Sequence, residues 1–248
     1  MKLTYEHSKK MNCWALGLLC STALLASQAG AITFDFRGGH GPLDGPDGNV
    51  RTFTQNGIDV TVSAWSRGGN GIWSPAYLGQ FGSSGLGVTN PNEGNGRGSR
   101  HRVDNIGSND FVLFQFSETV IPNQVNLRSV VNDSDISIWA SDVTTPINLD
   151  SDTTFSDLFS PRLENNFTRS SRNRTASFNS GGTHANSLLI SAFYGRGGDN
   201  YADEFKIRSL HVDLPTNVPD GGSTALMFLS ILVPVFGWRL VGGSKKKQ

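Results

Sequence analysis

This sequence predicts an all-β protein: an antiparallel two-sheet sandwich of jelly-roll type, flanked by an N-terminal signal peptide and a C-terminal transmembrane helix. Three observations carry that expectation. Apolar residues in the middle of the chain alternate with a period of two. Clusters of Gly, Asn, Asp and Ser cut the alternation into short runs, and only one short stretch carries a helical pattern. At 248 residues the chain allows one domain with targeting ends and is long enough to bury a core.

The amino end reads as targeting. Lys2, Lys9 and Lys10 form a cationic start, Cys13 to Ala26 a compact apolar run, and Ala29-Gly30-Ala31 a small-residue cleavage site. That is the pattern of a secretory signal peptide over residues 1–31, with cleavage after Ala31. Cys13 and Cys20, the only cysteines, fall inside it. The exported chain then has no thiol for a disulfide, for thiolate catalysis or for a cysteine-ligated zinc. Between Ile32 and Val218, 14 Lys and Arg stand against 19 Asp and Glu, a net charge of −5. Nucleic acid is therefore not an expected partner.

Within residues 32–216 the runs are taken in order. Ile32, Phe34 and Phe36 share one face of a first strand, with Thr33 and Asp35 on the other. Ile58, Val60, Val62 and Ala64 alternate with Asp59, Thr61 and Ser63, a strand with one wet face. Phe111-Val112-Leu113-Phe114-Gln115-Phe116 is apolar on both faces except at Gln115, which places it mid-sheet. Val125, Leu127 and Ser129 alternate next. Ile136, Ile138 and Ala140 follow an Asn132-Asp133-Ser134-Asp135 turn, and Leu188 to Ala192 is a short buried run. Phe205 and Ile207 are in one phase and Leu210, Val212 and Leu214 in the other, so a β-bulge near Arg208-Ser209 is expected. Thr154 to Phe159, ended by Pro161, has room for a turn or two of helix. Asn165 to Asn173 reads as a loop or a weak edge strand. Ten glycines between Arg67 and Gly98 argue against regular structure there, while Trp73, Tyr77, Leu78 and Phe81 argue that the stretch packs on the sheets.

The carboxyl end, residues 217–248, carries three signals in order. Val218-Pro219-Asp220-Gly221-Gly222 is a turn-forming cluster. Residues 224–241 are an apolar run that nearly crosses a hydrocarbon core of roughly 30 Å. Lys245-Lys246-Lys247 is a cationic stop that favours the cytoplasmic side. This tripartite tail resembles the PEP-CTERM class of bacterial sorting signals in its VPDSG-CTERM variant. Val218, Pro219, Asp220 and Gly221 match, with Gly222 a small departure from the variant's Ser-Gly order. The resemblance implies export and handling by an exosortase, a membrane-embedded protease-transpeptidase, with membrane anchoring before processing and delivery to the cell surface or matrix. An ordinary uncleaved anchor would use the same apolar run.

Gly85-Leu86-Gly87-Val88, then Glu93, then His101-Arg102-Val103-Asp104-Asn105 and an Asp110 just before Phe111, resembles a segment recurring in PEP-CTERM cargo domains. Glu93, Asp104, the Asn105 side-chain carbonyl and Asp110 offer hard oxygens on loops near a strand end, the donor set of Ca²⁺. The alternative is that they cap turns. Asp199, Asp203 and Glu204 form a second candidate cluster, which Asp35 would join by analogy with sandwich domains. Asp44 to Asn49 lacks the spacing of an EF-hand loop.

No recognised hydrolase frame occurs among His40, His101, His184 and His211, and neither H-E-x-x-H nor G-x-S-x-G is found. Glu93 with Asp110 is the one pair a glycosidase reading would use. Trp65, Trp73, Tyr77 and Trp139 would stack on sugar rings if exposed and are core if not. The sequence thus points to an exported, non-catalytic, calcium-stabilised β-sandwich associated with exopolysaccharide. The competing reading is a secreted carbohydrate-binding protein or glycoside hydrolase.

Overall fold

The structure, a computed structural model, describes residues 30–38, 48–93, 101–159, 162–166, 172–195 and 201–215. They belong to a unit spanning Ala29–Thr216. Ala29, the motif Val218–Gly222, the apolar run 224–241 and the tail 245–247 lie outside the described residues. Among the described residues no helix is long and apolar enough to cross a membrane.

The strands in chain order are β1 (Ala31–Asp35), β2 (Val50–Gln55), β3 (Ile58–Gly68), β4 (Trp73–Pro75), β5 (Tyr77–Gln80), β6 (Leu86–Thr89), β7 (Val103–Asp104), β8 (Ser108–Asn132), β9 (Ile136–Ser141), β10 (Arg162–Asn166), β11 (Arg174–Ser177), β12 (Ala185–Ala192) and β13 (Asp203–Asp213). Among the described residues a single helix, α1 (Asp152–Leu158), follows β9 and precedes β10 in the chain. The ladders are antiparallel, as the period of two predicts.

In place of two separate sheets, the strands join into one thirteen-stranded sheet. The cause is β8, which stays extended for 25 residues. Its first half lies between β3 and β12, with Phe111 opposite Trp65 and Ser191. Its second half lies between β13 and β11, with Val125 opposite Leu210 and Ala176. The runs at 111–116 and 125–129, separate in the sequence reading, are two parts of this strand.

Alternation then sorts the side chains. Val60, Val62, Val112, Phe114, Ile138 and Ile190 turn to one face and share the main core with Ile32, Phe34, Phe36, Leu127, Leu210 and Val212. Trp65, Phe111, Leu113, Trp139 and Leu189 turn to the other face. There a second cluster forms under residues 142–159, which add Ile147, Leu149 and Phe159. The two clusters explain why the run from Phe111 to Phe114 is apolar on both sides: both sides are covered. A fully buried Phe or Leu contributes roughly 1.5–3 kcal/mol. In β13 the register shifts between Ile207 and Ser209, which moves Phe205, Ile207, Leu210 and Val212 onto the same core despite their change of phase.

The glycine-rich stretch is regular after all, in short pieces: β4, β5 and β6. Among its described glycines, Gly71 and Gly82 take positive φ, and Gly79 and Gly87 stand where a Cβ would run into Phe81 and His101. Gly85 has φ +90°, and a Cβ there would lie 2.2 Å from the Ile207 carbonyl oxygen, so β6 can lie against β13 only without a side chain. Helix α1 starts at Ser151, whose side chain accepts from the Thr154 N–H.

Candidate metal centre

Beyond β6 the chain makes a turn in which the Glu93 N–H donates to the Asn90 carbonyl at 3.0 Å. The Asn90 N–H donates back to Glu93 Oε2 at 3.0 Å, and its side-chain amide donates to Asp110 Oδ1 at 3.3 Å. Asp110 opens the apolar part of β8 and is completely buried. Strand β7, paired to β13, brings in Asp104, whose N–H reaches Asp110 Oδ2 at 3.4 Å and whose Oδ1 accepts from the Ile106 N–H at 3.0 Å. One carboxylate oxygen each from Glu93, Asp104 and Asp110 lies within 4.8 Å of the other two.

That spacing is twice a Ca²⁺–oxygen distance of about 2.4 Å, so all three oxygens fit around one ion. Three carboxylates this close resist being charged together. Burial raises the Asp104 carboxyl to about 7, with Glu93 and Glu204 adding repulsion. Burial, reinforced by Asp104 and Glu93, holds Asp110 well above the usual carboxylate range, and burial also raises Glu93. Such a cluster takes up protons or a cation at neutral pH.

Asn105 turns away from this cluster. Its amide donates to Asp203 Oδ2 at 2.7 Å and its carbonyl accepts from the Asp203 N–H at 3.0 Å, so both ends of the side chain are used on β13. Asp203 belongs to a second cluster, with Asp133 and Asp135, again with one oxygen each within 4.8 Å. All three are buried, and burial raises Asp203 to about 7. Sequence reasoning assigned Asp133 and Asp135 only to a turn. Their i, i+2 spacing beside the buried Ile136 was the available signal, since an extended chain puts both on one face. Glu204 is instead held by Asn132 Nδ2 at 2.6 Å and by Arg102 at 3.6 Å. Asp35 does not join either cluster: it binds its own neighbour Arg37, because it sits toward the opposite end of β13, across from Ser209. Asp199 lies outside the described residues.

The sequence-predicted sugar platform is not exposed. Trp65, Trp73 and Trp139 are 7%, 6% and 4% exposed, packed with Phe111 and Phe155; Tyr77 is half-buried in β5. Glu93 and Asp110 are likewise poorly placed for glycoside cleavage, since a buried Asp110 has no contact with solvent through which a sugar could reach it. Compared with protein-family models, curated proteins and solved structures, the chain matches none.

Proposed function

We propose that this chain is an exported, non-catalytic protein of the cell surface or matrix, associated with exopolysaccharide, whose antiparallel β domain is stabilised by Ca²⁺ at Glu93, Asp104 and Asp110. In this reading residues 1–31 direct export. The Val218–Gly222 motif, the apolar run 224–241 and Lys245–Lys247 deliver the protein to an exosortase-type enzyme after an interval on the membrane.

One observation supports the calcium part most: two of the three converging carboxylates are buried, and among the described residues no cationic side chain is paired with them. An isolated buried carboxylate costs several kcal/mol, and a divalent ion offsets that cost for all three at once. Asp104 and Asp110 are buried and Glu93 is exposed, and the burial of two of the three ligands favours a structural role.

Calorimetry on the purified protein with and without EDTA tests the ion. A melting temperature unchanged by calcium removes it from the proposal. Mass spectrometry of the protein from its own cells tests the sorting part. The expected carboxyl terminus lies near Val218–Gly222, and a chain intact to Gln248 reduces the tail to a plain anchor.

A further inference from the structure

We propose that the aromatic cluster on the outer face of β3, β8, β9 and β12 is a binding surface for carboxylate-bearing sugars, held shut by residues 142–159. This gives the polysaccharide association proposed above a surface and a ligand class, and rests on it only to that extent.

The three tryptophans between Ile32 and Val218 all lie on this face, and none is in the main core, which is built from Phe and aliphatic residues. Tyr194 packs at its edge against Phe111 and Trp139. A wide apolar ring with one polar atom suits a face that meets both sugar C–H groups and water. The cover buries Ile147, Leu149 and Phe159 in the same cluster. Its one regular element is the seven-residue α1, too short to be stable alone.

The latch between cover and sheet has the chemistry of a carboxylate receptor. Arg67 Nε donates to Asp152 Oδ1 at 2.6 Å and Nη2 to Oδ2 at 2.5 Å, while the Trp73 indole N–H donates to Oδ1 at 2.8 Å. A guanidinium fork with an added N–H is a site for a planar carboxylate, and an internal one fills it. The Asp152 side chain is 53% exposed and that of Arg67 22%, so the anion is the solvent-facing, displaceable member. One turn further along α1, Phe155 covers Trp73, Trp139 and Tyr194 at centroid distances of 5.5, 5.3 and 5.9 Å. Asp152 and Phe155 together therefore imitate the two halves of a uronic acid: the carboxylate on Arg67 and Trp73, the apolar ring face on the aromatics. A sugar acid takes both places when α1 swings away. Gln115 keeps the other end of the cover tied, through the Thr145 carbonyl and the Ile147 N–H.

The test uses the full chain, with trigalacturonate as probe, a neutral trisaccharide as control, and tryptophan fluorescence and calorimetry as readouts. Asp152→Asn keeps the side-chain size and removes the competing charge. It is expected to bind trigalacturonate about tenfold more tightly than wild type, because less of the protein is held closed. Adding Arg67→Ala should abolish that gain, and the neutral trisaccharide should bind neither form. Equal affinity of wild type and Asp152→Asn for trigalacturonate, or equal binding of the neutral sugar, overturns the proposal. If circular dichroism shows Asp152→Asn unfolded, hydrogen exchange on wild type decides: trigalacturonate must speed exchange across Asp152–Leu158 and slow it from Arg67 to Trp73, and an unchanged pattern overturns it. None of these outcomes depends on calcium or on processing at the tail, so failure here leaves those experiments standing.

Discussion

Removing calcium while raising the pH should unfold this protein by a route that the Asp104 carboxyl makes quantitative. Its folded value is about 7 against an ordinary 3.8, because burial disfavours the charge. A carboxyl raised in the folded state binds more protons there than in the unfolded chain between those two values, so stability falls as pH rises through that window. For Asp104 the fall is on the order of 4 kcal/mol, complete above about pH 7 and absent below about pH 4. In a unit of this size that lowers the melting temperature by about 10 °C. Calcium bound as proposed would reverse the sign of the problem by holding the carboxylates ionised. At about 100 times its Kd it restores about 2.7 kcal/mol, and its affinity should rise with pH as protons leave the site. Thermal melts in EDTA and in calcium, from about pH 4 to about pH 8, read both effects. Asp104→Asn should make the EDTA curve shallower, leaving the fall that the raised Asp110 and Asp203 carboxyls contribute, and should remove the response to calcium. An EDTA curve that is flat for the wild-type protein, or that falls equally in Asp104→Asn, refutes this account of the cluster.

Three further outcomes are expected. Asn105→Ala deletes both bonds to Asp203 and leaves buried polar groups without those partners, so denaturant titration should show a loss of about 1–3 kcal/mol. Lys206 is buried beside the Phe81 ring, and burial with Arg102 lowers its ammonium to about 8 from 10.5. The unfolded chain therefore binds the extra proton between those values, stability should rise from about pH 8 to about pH 10, and Lys206→Met should abolish that rise in calcium-saturated protein. Gly85→Ala forces a Cβ into the Ile207 carbonyl at positive φ, and melts should show it destabilised by more than about 1 kcal/mol, whereas Gly181→Ala, in open space, should be nearly neutral.

What the sequence revealed and what it hid divide along physical lines. Strands with one wet face were plain, because Ile32, Phe34 and Phe36 or Val60 and Val62 alternate against polar neighbours that remain outside. The bulge in β13 was also legible, since Ile207 and Leu210 cannot face one core without an extra residue between them. The joining of the sheet through β8 was not. Pro122 and the polar Glu118 and Thr119 look like a break, yet an extended backbone can change partners there without turning. The strands β4 to β6 were hidden by glycines, whose presence reflects close approach of neighbouring chain as much as flexibility. At the candidate site, residue type and nearness to a strand end selected Glu93, Asp104 and Asp110. Only the pairing of β7 with β13 decides that Asn105 faces Asp203, and pairing partners 98 positions apart leave no local trace.

The pairing of β1 with β13 sets an order on the life of the chain. Ile32 lies opposite Val212 and Phe34 opposite Leu210. The first strand to be made thus waits for the last, with Ile32 and Phe34 lacking their strand partners until residues 203–213 have followed. Closing such a long loop is slow, and the chain stays open for as long as it is still being delivered. If the chain is exported as proposed, that delay leaves β1 without its partner strand until β13 has been made.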